Sequence, residues 1–314
     1  DTWHAMGQGA TTGSLVVTLE ALKEMHLTPE DIQLIQNDTK TCPDTGMAGA
    51  SRSLYMDGNA TIIAANKLLA AMRKEDGTLR TYDEMKAEGI ETKYLGRYET
   101  NTTPGLCRLD PNTGIGDPTP AFTYCLNLAE VEVDTKTGKT TVLKFTCVDF
   151  VGRIGNIDAV NGQAYSGIMH GIGFALKEDY ADVKKHANMF GAGTSYIKDV
   201  PDDIDLIHID GAISDGPFGS SGASEAFQAS GHCAVLNGIY NACGVRIHEI
   251  PALPEKVKAG LDAIAKGEKP YEPKKYFLGS DMYEELENIK ENPVQVGTQS
   301  FYVSLDDPTA ERPF

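Results

Sequence analysis

The sequence predicts an α+β fold rather than a regularly alternating α/β fold. A strong strand–turn–strand pattern stands near the middle of the chain, at residues 122–149, and helical patterns stand on both sides of it. These helices and strands do not alternate as repeated βαβ units would require. The chain has 314 residues, which is enough for a large core and for more than one domain.

Residues 1–120 are predicted to form a first α+β lobe. Apolar residues at helical spacing after Thr12 predict one helix, and an amphipathic or buried pattern after Met56 predicts another. The predicted elements are a strand at Thr2–Met6, a helix from Thr12, a strand at Ile32–Ile35, a loop at residues 37–53 and helices at Met56–Met72 and Tyr82–Ala87.

Residues 121–266 are predicted to form a second lobe built around a hairpin. Alternating residues on both sides of the turn Asp134–Lys139 predict two paired strands. The helix that follows carries four glycines, which permit close packing against a neighbouring element. Residues 267–314, rich in Pro, Lys and Glu, are predicted to form a C-terminal arm. The predicted elements are strands at Phe122–Val133, Thr140–Asp149 and Leu206–Ile209 and helices at Asp158–Ala175, Val235–Cys243 and Pro254–Ile264.

The charge of the chain argues against two classes of general partner. A formal net charge of −17 disfavours nucleic acid and anionic membrane surfaces. No apolar run approaches the roughly 18 residues needed to cross a bilayer. We therefore expect neither nucleic acid nor a membrane as a partner, although local amides and an arginine can still hold an anionic cofactor.

The six cysteines give no sign of a metal site made of protein ligands. None of them forms a C-x-x-C pair or stands at a zinc-like interval from a histidine. Scattered cysteines are typical of a reducing compartment, where thiols act as small core residues. The sequence therefore predicts a cytoplasmic protein that does not itself ligate a metal.

The most distinctive segment is Gly216–Ile247, in which a glycine- and serine-rich loop precedes a buried-helix pattern. Glycine backbone before a helix can bring N–H donors close to an anion. Glu225 stands at this junction, where an anionic ligand would otherwise lie. We interpret Glu225 as a carboxylate directed at a reacting centre. The alternative is an acid that only stabilises the helix start, an effect worth about 0.3–1 kcal/mol.

Three further motifs are candidate ligand-binding elements, and each also has a plain structural explanation. Gly7-Gln8-Gly9 combines permissive backbone with an amide side chain, but alone it is more typical of an ordinary turn. The 46–53 loop offers hydroxyls and Arg52 to phosphate oxygens, or else is a surface loop with a solvated arginine. Gln163 lies in a glycine-rich helix, where helix packing is the simpler explanation. The sequence has no Walker-type lysine motif and no G-x-G-x-x-G after a strand.

The order of these motifs resembles the molybdenum hydroxylases, the xanthine oxidase family. The matching segments are GQG at 7–9, a GASR loop before a helix at 49–52, NGQ-x-Y-x-G with HGIGFAL at 161–176, GPFGSSGASE at 216–225, NGIYNACGVRI at 237–247 and LPEKV at 253–257. Within the family, the bacterial aldehyde oxidoreductases are the most similar, over about residues 1–265. The chain departs from their pattern at Met6, where they commonly have histidine, and at Ser224, where they have glycine.

The resemblance implies a fold and a cofactor. The chain corresponds to the C-terminal half of a two-lobed α+β molybdopterin-binding domain. The implied cofactor is molybdopterin cytosine dinucleotide, whose molybdenum is held by the dithiolene and not by the protein. Glu225 falls on the family's catalytic glutamate. The positions implied to hold the cofactor are Gly7, Gln8, Gly9, Gly49, Ala50, Ser51, Arg52, Ser53, Gln163, Gly219, Ser220, Ser221, Gly222, Ala223 and Ser224.

The resemblance also implies partners and a reaction. The N-terminal half of the molybdenum domain, with most of the substrate pocket, is expected on another chain or another part of the polypeptide, as are 2Fe–2S and FAD modules. The implied reaction is hydroxylation of an aldehyde to a carboxylic acid with water as oxygen source and Glu225 as general base. One alternative is a split-subunit enzyme that hydroxylates an N-heterocycle such as a purine or nicotinate. A second alternative is a non-catalytic scaffold subunit that keeps the fold.

Overall fold

A computed structural model describes residues 3–36, 38–46, 48–100, 115–116, 119–182, 184–268 and 291. The chain divides into two compact units, Asp1–Pro270 and Tyr271–Phe314. Almost all of the second unit, and with it nearly all of the predicted arm at 267–314, lies outside the described residues. The elements below belong to the first unit, and its predicted division into lobes at residue 120 stays a prediction.

The described part of the first unit combines helices with one three-stranded sheet, which confirms the predicted α+β class. The strands are β1 Tyr124–Val133, β2 Thr140–Phe150 and β3 Asp203–His208. The helices are α1 Ala10–Ala21, α2 Ser53–Met72, α3 Tyr82–Ala87, α4 Ile157–Leu176, α5 Ser224–Ala229, α6 Gly231–Cys243 and α7 Pro254–Ala265. Short 3₁₀ turns lie at Lys23–Met25, Pro29–Asp31, Ile197–Asp199 and Pro217–Gly219.

Strand β2 is the centre of the sheet, with β1 on one side and β3 on the other. The hairpin pairs β1 with β2 in antiparallel register, as the sequence predicts. Strand β3 pairs in parallel with residues Lys144–Asp149 of β2. A parallel neighbour needs a long crossover, and α4 lies in this connection, so the fold contains one βαβ unit beside the hairpin.

One face of the sheet is buried by helices α4, α5 and α6. Phe145 and Cys147 of β2 share a fully buried cluster with Ile168 of α4, Phe227 of α5 and Val235 of α6. Burial of large apolar side chains stabilises such a cluster by roughly 1.5–3 kcal/mol each. Because Phe227 is two residues after Glu225, the core fixes the start of α5 in place.

Glycines of α4 allow its close approach to α5 and α6. A Cβ at Gly167 would lie 2.6 Å from the Cβ of Phe227, and a Cβ at Gly171 would lie 2.9 Å from the Cα of Gly231. Both distances are too short for an alanine without movement of the backbone. A Cβ at Gly162 would meet no atom within 4 Å. Gly167 and Gly171 therefore serve helix packing, and Gly162 does not.

Helices α1 and α2 pack against each other. Trp3, Ala10 and Val17 form a small core against α2, where Leu54 and Ile62 contribute apolar side chains. The start of α2 is therefore fixed next to the turn that precedes α1, and both belong to the candidate site.

Two predicted strands are wrong. Residues 3–6 and Ile32–Ile35 are irregular in the structure, and Thr2 lies outside the described residues. A strand needs a neighbour to satisfy its N–H and C=O groups. The described part of the chain has one sheet, formed by β1, β2 and β3, and it does not include either segment. A short apolar run is thus not sufficient to specify a strand.

Candidate cofactor site

A cavity of about 670 Å³ lies where loops and helix starts from separate parts of the chain meet. The turn before α1, the loop before α2, the first turns of α4 and the loop before α5 all reach it, together with the segment after β2. The predicted site residues that line it are Gln8, Gly9, Gly49, Ser51, Arg52, Ser53, Gln163, Ser220, Ser221, Gly222, Ala223, Ser224 and Glu225.

Three of the predicted residues do not line this cavity. Gly7, Ala50 and Gly219 lie beside lining residues but are not part of the wall. All three have positive φ, at 98°, 52° and 86° respectively. Their backbone conformation shapes the turns that carry the lining residues.

Ser51 and Glu225 are joined by two hydrogen bonds between the loop before α2 and the start of α5. The Ser51 hydroxyl donates to Oε2 of Glu225 at 3.0 Å. The backbone N–H of Glu225 donates to Oγ of Ser51 at 3.1 Å. A hydroxyl has one hydrogen and two lone pairs, so Ser51 can make both bonds at once. The candidate acid is therefore held by a residue 174 positions away in the sequence.

The loop that precedes Glu225 is anchored from two directions. Asn59 of α2 donates from Nδ2 to the carbonyl of Asp215 at 2.8 Å. The Ser220 hydroxyl donates to the carbonyl of Arg153 at 2.6 Å. These bonds connect the loop to α2 and to the segment after β2, so several elements that line the cavity are coupled.

Gln8 closes the turn before α1 with its own side chain. Its Nε2 donates to the carbonyl of His4 at 2.6 Å, and its Oε1 accepts from the N–H of Met6 at 2.7 Å. Gln163 lies half-buried on α4 at another part of the wall. Both predicted amides are therefore brought to the same cavity from distant parts of the chain.

The structure adds wall residues that the sequence motifs did not single out. Arg153 follows β2 and is exposed to the cavity, and Trp3 is buried beneath the turn before α1. Asn156 caps α4, where its side chain accepts from the N–H of Ala159 at 3.0 Å. Of these three residues, only Asn156 could have been singled out from the sequence, because an asparagine directly before a helical pattern is typical of a helix start.

The charged groups at the wall are of both signs. Arg52 and Arg153 line the cavity together with Glu20 and Glu225. Close to Arg52, Asp57 of α2 is buried, and this burial raises its pKa to about 6 against the opposing effect of His4 and Arg52. Asp57 therefore adds a buried acidic group close to Arg52.

The described residues contain neither a cluster of metal-binding side chains nor a membrane-spanning helix. Among those residues, no group of three or more His, Cys, Asp or Glu side chains could hold a metal ion. In the same ranges, no helix has both the length and the apolar character to cross a membrane.

Comparison with known proteins decides the family. Residues 2–201 match the family model of the molybdopterin cofactor-binding domain. The chain belongs to the molybdenum hydroxylase family. This result confirms the resemblance drawn from the order of the motifs.

Relatives of this molybdopterin-binding domain include aldehyde oxidoreductases. It is 42% identical over 261 residues to the aldehyde oxidoreductase of Megalodesulfovibrio gigas, covering 83% of this chain and 28% of the relative. It matches the crystal structure of the aldehyde oxidoreductase from Desulfovibrio desulfuricans ATCC 27774 with a TM-score of 0.77 and 44% identity, covering 82% of this chain and 28% of that one.

A more distant relative is named as part of a complex. The domain is 24% identical over 294 residues to the gamma subunit of the 6-hydroxypseudooxynicotine dehydrogenase complex of Paenarthrobacter nicotinovorans, covering 84% of this chain and 36% of the relative. The molybdopterin-binding domain thus spans about a third or less of the length of these relatives.

The residues around the cavity fit a pterin with a phosphate-bearing tail. Hydroxyl and amide side chains offer donors and acceptors, and two arginines offer charge to phosphate oxygens. At Gly222 a Cβ would lie 1.6 Å from the carbonyl oxygen of Ser51. A side chain at position 222 would therefore force apart two loops that line the cavity.

Proposed function

We propose that this domain forms part of an enzyme that oxidises an aldehyde to a carboxylic acid, with water as the source of oxygen. The single observation that carries the proposal is that Glu225 and the separated motif segments line one cavity. The 42% identity to an aldehyde oxidoreductase supports the choice of an aldehyde as substrate.

The proposed cofactor is molybdopterin in its cytosine dinucleotide form. Arg52 and Arg153 are the cations of the wall and would pair with its phosphates. Gln8, Gln163 and the main chain of the 49–53 and 219–224 loops would hydrogen-bond the remaining polar groups. When bound, the molybdenum cofactor supplies the two-electron oxidation.

Glu225 is the proposed general base. The overall reaction converts RCHO and H₂O to RCOOH, two protons and two electrons. As the water oxygen bonds to the aldehyde carbon it loses a proton, and the Glu225 carboxylate accepts it. Correct placement matters here because a base has to lie within hydrogen-bonding reach of the proton that it accepts. Ser51 and the buried Phe227 provide that placement.

The proposed partners are the remainder of the molybdenum domain, 2Fe–2S clusters and FAD. Since the chain spans 28% of the aldehyde oxidoreductase, the rest of the substrate pocket and the path for the two electrons would come from other parts of the enzyme. We propose a cytoplasmic location, which the scattered spacing of the six cysteines supports.

Metal and substrate analysis of the purified enzyme that carries this chain tests the proposal. We expect about one molybdenum and one cytidine nucleotide per chain, and oxidation of benzaldehyde with an artificial dye as electron acceptor. Preference for hypoxanthine or nicotinate over benzaldehyde would favour the N-heterocycle alternative. Absence of both molybdenum and pterin would favour a scaffold subunit and contradict the proposal.

A further inference from the structure

The Glu225 carboxylate has its two oxygens in different environments. Oε2 accepts the hydrogen bond from the Ser51 hydroxyl at 3.0 Å. Within the described part of the chain, Oε1 accepts no hydrogen bond. Since Glu225 is exposed to the cavity, Oε1 is the oxygen that is available to a reacting group.

The position of Ser51 is imposed by the backbone around it. Ala50 and Ser51 both have positive φ, at 52° and 50°. This left-handed conformation costs a non-glycine residue about 1–2 kcal/mol, and such strain persists where surrounding structure imposes it. The backbone of Ser51 also packs directly against Gly222 of the opposite loop. The hydroxyl is therefore directed at Glu225 by two loops that are packed together.

We propose that Ser51 is a positioning residue for the reaction, which holds Oε2 so that Oε1 of Glu225 accepts the proton. The proposal rests on the proposed function, in which Glu225 is the base. Because the Ser51 hydrogen is donated to Oε2, the proton released by water is transferred to Oε1, and Ser51 itself gains and loses none. The N–H of Glu225, bound to Oγ of Ser51, orients the hydroxyl for this donation.

Substitution of Ser51 in the cofactor-loaded enzyme tests this role. We expect Ser51→Ala to lower kcat about 10- to 100-fold, the range expected when a catalytic group is misplaced by about 1 Å. KM and the molybdenum content per chain are expected to stay within about twofold. Ser51→Gly removes the hydroxyl and also the backbone strain, and it should behave like Ser51→Ala. Ser166→Ala, on α4 outside the cavity, is the matched control and should retain wild-type kcat.

A double-mutant cycle separates positioning from general damage. If Ser51 acts through Glu225, adding Ser51→Ala to Glu225→Gln should change kcat by less than about twofold. The inference would be overturned if the fold-losses in kcat of the two single variants multiplied in the double variant. Loss of molybdenum from both Ser51 variants would overturn it as well. If Glu225→Gln alone keeps wild-type turnover, the proposed base is wrong. If Glu225→Gln is inactive while Ser51→Ala is as active as wild type, only the inference about Ser51 is wrong.

Discussion

Gly222 lies so close to Ser51 that no side chain fits between the two loops. A Cβ at Gly222 would stand 1.6 Å from the carbonyl oxygen of Ser51. The Ser51 loop is also joined to the start of α5 by the hydrogen bonds between Ser51 and Glu225. The geometry of the candidate acid therefore depends on a glycine three residues before it.

Substituting Gly222 should separate these loops. In Gly222→Ala the new methyl group contacts the carbonyl group of Ser51, which cannot rotate aside as a side chain could. The backbone of Ser51 therefore has to move by more than 1 Å. We expect loss of the Ser51–Glu225 bonds and a fall in turnover of about 100-fold or more. Turnover and molybdenum content of the enzyme measure the effect. Wild-type values of both would contradict the packing described here.

Substituting Arg153 should weaken retention of the cofactor. Arg153 lines the cavity next to Gly219, and we expect its guanidinium to pair with a phosphate of the dinucleotide. A lost charge-assisted hydrogen bond costs about 1.5–3 kcal/mol, so Arg153→Gln should lower affinity about tenfold or more. The measurement is cytidine nucleotide and molybdenum per chain after dialysis. Arg246→Gln, beside Tyr240 and outside the cavity, is the control that should retain both.

Two glycines of α4 should respond to alanine in opposite directions. Gly167→Ala places a methyl group 2.6 Å from Phe227 Cβ, so we expect destabilisation by about 1–3 kcal/mol. At Gly162 the space is open, and alanine should stabilise the helix by about 0.5–1 kcal/mol. Denaturant unfolding of the purified chain gives both values. Equal effects of the two substitutions would show that α4 is not packed on α5 as described.

Asp57 should make the stability of the fold depend on pH. Burial raises its pKa from 3.8 to about 6, so between these values the folded state binds more protons than the unfolded state. The contribution of Asp57 to the free energy of unfolding is therefore largest below pH 4 and is lost as pH rises through about 6. Relative to wild type, Asp57→Asn should gain stability across this window and show a constant difference above about pH 7. A difference that does not change with pH would contradict the raised pKa.

Local signals explain the elements that the sequence predicts well. Helix α3 was predicted at its observed bounds, and it begins with a reciprocal capping box between Thr81 and Glu84. The hairpin between β1 and β2 was also predicted, and Asp134 fixes its turn by accepting from the N–H of Lys136 at 2.8 Å. Both signals lie within a few residues of the element that they specify. The incorrect strand at Ile32–Ile35 lacked such a signal and depended on hydrophobicity alone.

The candidate site was predictable only through its motifs. Glycine-rich loops and Glu225 stand out in the sequence, and most of the residues named from them line the cavity. Arg153 has no comparable motif, because its place in the wall results from the exit of β2 next to the Glu225 loop. The Ser51–Glu225 contact spans 174 positions, and no local pattern specifies it. Tertiary packing decides both features.

We propose that Glu225 accepts a proton at a cavity that binds the molybdenum cofactor. The most direct measurement is steady-state turnover of benzaldehyde by Glu225→Gln, with molybdenum and cytidine nucleotide measured on the same preparation. Glutamine keeps the size of the side chain but is not a base, so we expect full cofactor content with kcat reduced by about 10²–10⁴-fold. Turnover within a few-fold of wild type at full cofactor content would contradict the claim.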